Sequence, residues 1–188
     1  MMKKILLSII LLASFSTGNA AIITVDARVN STSGGGAGFA TGLNFNAGDH
    51  FTATAGLDDL WNAGALPRWS NADGLVGDLF ATGSDESGEA ADTLIGRDFG
   101  LHNQHGLSLA FGTLVGSIDN NFFAMGTSYD GNAIATGELL LWYWDSNSGD
   151  NTESIQVKIG TAAVPEPSII ALFALGLFGL GFARRRNA

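Results

Sequence analysis

"LLLWYWDSNSGDNTESIQVKIG", residues 139–160, joins two strand-like runs through a short polar connection. Leu139 to Trp144 is apolar on both faces, the pattern of an inner strand covered on each side. Ser154 to Ile159 alternates, with Ile155, Val157 and Ile159 on one face and Gln156 and Lys158 on the other. The pair reads as a hairpin whose turn carries Asp145, Asn147, Asp150 and Asn151. Turns favour Asn, Asp and Gly for backbone reasons, so a solvated polar turn is one reading. Two carboxylates in so tight a turn repel, however, and a cation between them removes that cost. Carboxylate, amide and loop carbonyl oxygens are hard donors that suit calcium. An EF-hand is excluded, because the twelfth position from Asp145 is Gln156 rather than a bidentate Glu and the flanks are strands.

Outward from this stretch the chain reads as all-β. "IITVDARV" (22–29), "FTATA" (51–55) and "GLSLAFGTLVGSI" (106–118) show the same period of two, separated by Gly- and Asn-rich turns. No long 3.6-residue apolar period appears between the two ends. "SGGGAG" (33–38) and "GSDESGEAAD" (83–92) read as exposed loops. Many glycines with short strands predict a small jelly-roll-like β-sandwich.

The ends carry processing signals. Residues 1–20 place Lys3 and Lys4 before an apolar stretch and small residues up to Ala20, the layout of a signal peptide. Residues 165–188 hold Pro165-Glu166-Pro167, an uncharged segment at about 168–183, and Arg184 to Arg186. That segment is just long enough to span a membrane as a helix, with the arginines on the cytoplasmic side. This layout resembles the PEP-CTERM sorting tail of Gram-negative, exopolysaccharide-producing bacteria. The resemblance implies transient association with the inner membrane, removal of the tail by an exosortase, and a secreted or outer cell-surface destination.

Residues 21–164 then form one domain with four basic residues (Arg28, Arg68, Arg97 and Lys158) against seventeen acidic ones, a net charge of −13. Such a field excludes nucleic acid as a partner and favours cations. The absence of cysteine rules out disulfides and thiol chemistry. No nucleophile elbow, phosphate loop or metalloprotease helix is present, so the chain is read as a non-enzyme.

Four blocks, "TGLNFNAGDHFTATAG" (41–56), "WNAGALPRWSNADG" (61–74), "HNQHGLSLAFGTLVGSI" (102–118) and "GELLLWYWDSNSGDNTESIQVKIG" (137–160), resemble the PA-I type calcium-dependent galactose-binding lectins. The resemblance implies a jelly-roll sandwich in which one calcium ion bridges protein and sugar. It implies that Asp145 binds both calcium and a sugar hydroxyl, and that Asp150 and Asn151 are paired side-chain ligands, with Asp150 also at the sugar. Backbone carbonyls near Leu60 or Trp61, and near Asn147 or Ser148, would complete the shell. His102 and His105, with Gln104 as alternate for the second, would bond a hexose 6-hydroxyl. Two histidines without a third ligand make a weak zinc signal, and surface loop histidines are the competing reading. Trp61 and Trp69 suit either a sugar ring or the core, while Trp142 and Trp144 read as core.

The sequence therefore predicts an exported, calcium-dependent carbohydrate-binding protein with a polysaccharide partner, in a monomeric or oligomeric form. The alternative is a structural matrix protein with the same fold and no specific sugar. Intact-mass analysis of protein from its host should show a start near Ala21 and no Arg184 to Arg186. Recovery of the complete tail in the extracellular fraction would refute the processing.

Overall fold

Strand-forming stretches with a period of two each offer one apolar face, and the computed structural model shows where those faces meet. It describes residues 20–34 and 37–161. The signal peptide up to residue 19, and the tail at 165–188 with its apolar segment 168–183, lie outside the described residues. Among the described residues no helix is long and apolar enough to cross a membrane.

The chain passes first through β1 (Ala20–Asp26), β2 (Phe39–Phe45), β3 (His50–Ala55), β4 (Trp61–Asn62) and β5 (Trp69–Ser70). It continues through β6 (Leu79–Phe80), β7 (Leu94–Gly96), β8 (Leu101–Gln104), β9 (Leu107–Ala110) and β10 (Leu114–Ile118). The last strands are β11 (Asn121–Ala124), β12 (Ser128–Asn132), β13 (Gly137–Tyr143) and β14 (Ser154–Thr161). One antiparallel sheet has the order β1-β14-β3-β12 and the other β11-β10-β13-β2. Three two-stranded ribbons, β4-β5, β6-β7 and β8-β9, complete the described strands.

The two large sheets share one core. Val25, Phe51, Ile155, Val157 and Ile159 enter it from the first sheet, and Leu114, Ile118, Leu139 and Leu141 from the second. Trp61 lies edge-on to Tyr143 with ring centroids 4.5 Å apart, and its indole N–H donates to the Gly112 and Asn71 carbonyls. Trp61, Trp69 and Trp144 are all buried, and Trp142 is half-buried with its N–H on Ser117 Oγ. The fold is therefore the β-sandwich that the alternation predicts, and β13 is an inner strand.

The stretch 139–160 is not a hairpin. β13 pairs with β10 and β2, whereas β14 pairs with β1 and β3, so the connection crosses from one sheet to the other. Hairpins are joined by very few residues, and this longer link can bridge the ~10 Å between packed sheets. Both strands are inner strands that need a neighbour on each side, and each takes them from distant parts of the chain.

Two other expectations shift for local reasons. β1 ends at Asp26 rather than Val29, because Asp26 Oδ1 accepts the Arg28 and Val29 N–H groups and draws the chain into a turn. The run 106–118 is broken into β9 and β10 at Gly112, whose φ of +79° leaves the strand region and whose N–H donates to the Trp144 carbonyl at 2.8 Å. The loop 83–92 is non-strand throughout, as expected.

Leu141 is fully buried and Ile22 is 71% exposed on an edge strand. Leu141→Ala should lower stability by about 2–5 kcal/mol, and Ile22→Ala by no more than about 0.5 kcal/mol. Denaturant unfolding of the two variants checks this, and equal effects would contradict the assigned interior.

Candidate functional site

The connection after β13 is fastened at several points. Thr32 N–H donates to the Tyr143 carbonyl, and Tyr143 N–H to the Asn30 carbonyl. Thr32 Oγ1 then accepts the Asp145 N–H and donates to the Asp145 carbonyl, both at 3.2 Å. Asn147 caps a single 3-10 turn, Ser148–Asp150: its Oδ1 accepts from Gly149 N–H and its Nδ2 donates to Asp150 Oδ1 at 2.8 Å. Asn151 Nδ2 donates to the Ala27 carbonyl at 2.9 Å, and Arg28 Nε to the Asn151 carbonyl at 3.1 Å. Asn62 and Thr152 exchange two backbone hydrogen bonds, which lays β4 against the end of the loop.

These ties turn two side chains inward. Asp145 is 5% exposed and Asn151 only 1%. Asp145 Oδ1 accepts the Ser146 N–H at 2.7 Å, but Asp145 Oδ2 and Asn151 Oδ1 are buried acceptors without a partner. Each such acceptor costs about 1–3 kcal/mol. Burial raises the Asp145 carboxyl above its ordinary value of 3.8; the Ser146 N–H, the Asn151 amide and the Asn147 N–H offset part of the rise, and the Asp150 charge adds to it. The Tyr143 phenol is pushed well above its usual range, first by burial and then by Asp145 and Asp150.

Asp145 opens on a cavity of about 210 Å³, also lined by Asp150, Asn147, Ala63, Arg68, Phe99 and Phe111. Asp150 is the exposed carboxylate of the pair. Its Oδ2 lies 3.5 Å from Arg68 Nη1, and a Cβ on Gly64 would sit 2.5 Å from that same oxygen. A larger hollow of about 320 Å³ elsewhere contains Asp73, but that carboxylate already accepts the Thr127 N–H at 2.7 Å and its hydroxyl at 3.0 Å. Of the two cavities, the smaller is the one lined by a carboxylate with an unsatisfied oxygen, Asp145 Oδ2.

The anticipated residues distribute unevenly around it. Asp145, Asn147 and Asp150 line the cavity, while the Asn151 side chain is next to the Asp145 carboxyl without itself lining the cavity and Ser148 lies in the capped turn. Leu60 and Trp61 are buried instead: Leu60 N–H donates to Glu86 Oε2, and the backbone beside Asp150 belongs to Ala63 and Gly64. His102 and His105 do not line the cavity. His102 stacks on the cavity-lining Phe111 with centroids 5.3 Å apart, and its carbonyl accepts the Trp144 indole N–H. His105, at the β8-β9 turn with φ +47°, stacks on Phe122 at 4.0 Å. Gln104 Nε2 donates to the Thr32 carbonyl at 2.9 Å, so it braces the residue that holds Asp145.

Arg68, Phe99 and Phe111 were not singled out as site residues from sequence. Arg68 was marked only by its rarity, as one of four basic residues in an acidic domain. Nothing in the local pattern around the two phenylalanines separates a cavity wall from a core position.

Residues 163–186 match the family model described as the PEP-CTERM protein-sorting motif. No curated protein matches the chain. Among solved structures, the chain is similar to one described as "EclA N-terminal domain; PllA-like lectin", at 19% identity and a TM-score of 0.48, over 74% of this chain and 94% of that one. The chain thus carries a PEP-CTERM sorting motif behind an all-β domain.

Proposed function

We propose that this is an exported carbohydrate-binding protein whose cavity holds a calcium ion and, through it, a sugar, and that it binds without catalysing a reaction. The observation that carries the reading is a buried acceptor without a partner, Asp145 Oδ2, on a residue that lines a solvent-connected cavity, with a second such acceptor, Asn151 Oδ1, on the side chain next to Asp145. A folded domain gains nothing by leaving one carboxylate oxygen and one amide oxygen buried without a partner, and a hard cation is the kind of group that would satisfy such oxygens. The donor set fits calcium in kind: the carboxylates of Asp145 and Asp150 line the cavity, and the Asn151 amide oxygen lies on the side chain next to Asp145. Bound there, the ion would supply open coordination positions for neighbouring sugar hydroxyls.

The chain's own residues have separate duties in this reading. Asp145, held by Thr32, presents one oxygen inward and keeps the other engaged by Ser146 N–H. Asp150 carries the second charge at the mouth, oriented by Asn147. Phe99, 45% exposed, offers an apolar face of the kind that suits a pyranose ring. The sorting motif supports export, with removal of the tail by an exosortase and release to the cell surface or its polysaccharide.

Calcium that binds only the folded chain stabilises it by RT ln(1 + [L]/Kd), about 2.7 kcal/mol at a hundredfold excess over Kd. Chelator should therefore lower the melting temperature, and Asp150→Ala should remove most of that response. Identical melting curves with calcium and with chelator would exclude the ion. A glycan array should show binding that chelator abolishes; a calcium-stabilised fold with an empty array would favour the matrix role.

Asp145→Asn separates charge from shape. The raised Asp145 pKa means that the stability of the protonated, metal-free form is fully present below 3.8 and is lost as pH rises through the folded value. At neutral pH in chelator the wild type bears that loss and the neutral amide does not. Asp145→Asn should then melt higher than wild type in chelator at pH 7, show no such gain below pH 3.8, and lose its response to calcium. A variant that melts lower than wild type in chelator at neutral pH would contradict the buried, unpaired carboxylate.

A further inference from the structure

Arg68 is the one basic side chain lining the cavity beside Asp145. Its position is built by the backbone: Ala63 N–H donates to the Arg68 carbonyl at 3.0 Å, and Arg68 bridges to Gly96 at the end of β7. The guanidinium carbon stands 5.4 Å over the centroid of the Phe99 ring. Its contact with Asp150 Oδ2, at 3.5 Å, is long for a charge-assisted hydrogen bond, and Asp150 has a better partner in Asn147 at 2.8 Å. Arg68 is therefore a half-exposed cation with an aromatic neighbour and only a weak hold on its carboxylate.

The formal charges decide what such a cation can take. Asp145, Asp150 and Arg68 together give −1, so the metal-free cavity repels anions. A divalent ion on the two carboxylates brings the same cavity to +1 and leaves Arg68 without its partner. The domain charge of −13 is a sum over residues 21–164, and charges beyond about 8 Å are largely screened at physiological salt. Close to the cavity the local sign prevails.

We infer that Arg68 makes this a site for acidic sugars: a hexuronate would set its carboxylate on the guanidinium and its ring against Phe99. The planar donor pair of Arg matches a carboxylate in a way that a neutral hexose 6-hydroxyl does not. The inference rests on the calcium reading above and adds to it the class of sugar and the residue that selects it.

The test uses full-length protein in detergent and titration calorimetry, with methyl α-D-galacturonide and methyl α-D-galactoside as a pair differing only at the carboxylate. Calcium binding is titrated separately, without sugar. Wild type in calcium should bind the uronide about tenfold more tightly than the galactoside, with the difference shrinking at high salt. Arg68→Gln should lose the preference while binding calcium as tightly as wild type or more so, since Asp150 is freed of a competing cation. Arg68→Lys, which keeps the charge without the planar donors, should retain part of it. Equal affinities in wild type, or a preference that survives in Arg68→Gln, with calcium bound, would overturn the role of Arg68 alone. Failure of wild type to bind calcium would overturn the calcium reading and this inference together.

Discussion

A single threonine hydroxyl governs the site. Thr32 Oγ1 takes the N–H of Asp145 and gives its own hydrogen to the same residue's carbonyl, so the peptide is held at both ends as the chain leaves β13. With that backbone fixed beside a packed interior, the carboxyl has few places to go. One oxygen finds the Ser146 N–H and the other finds nothing. Burial in this arrangement raises the Asp145 carboxyl pKa, and the Asp145 charge adds to the rise that burial already gives the Tyr143 phenol. Gln104 Nε2 reaches the Thr32 carbonyl and so braces the clamp.

The sandwich was legible because its signal is local. Ile23 and Val25 in β1, Phe51 and Ala53 in β3, and Ile155, Val157 and Ile159 in β14 recur at every second residue of their strands, and alternation alone states which side of each strand faces inward. The double-sided apolar run ending in Trp142-Tyr143-Trp144 likewise announced an inner strand. Which strands pair is a different kind of information. Nothing in the 145–153 segment says that β13 will take β10 and β2 while β14 takes β1 and β3, because those partners lie up to a hundred or more positions away. Local patterning reads such a connection as a turn.

The site divides along the same line. Asp145, Asn147, Asp150 and Asn151 were recognisable since they are neighbours in sequence and their crowding is costly. Arg68, Phe99 and Phe111 reach the cavity only through tertiary packing, from three separate segments. The histidines are a different case: His102 and His105 have the chemistry for a sugar, and in this structure their rings stack on Phe111 and Phe122, His102 thereby on a residue of the cavity wall. Aromatic stacking offers an imidazole a stable resting place that its sequence context does not reveal.

The position of β14 has a mechanical consequence. It is the last described strand before the sorting motif, so tension on the C-terminal side enters the domain through Thr161. β14 is zipped antiparallel to β1 along Ala20–Asp26 and to β3 along Phe51–Ala55. A pull along this strand must shear two ladders of hydrogen bonds at once rather than peel one from an edge. At its other end β14 begins just past Asn151, so an ion held by Asp145 and Asn151 would knot the far end of the loaded strand to the opposite sheet. The strand nearest the sorting motif is thus one of the two most thoroughly paired in its sheet.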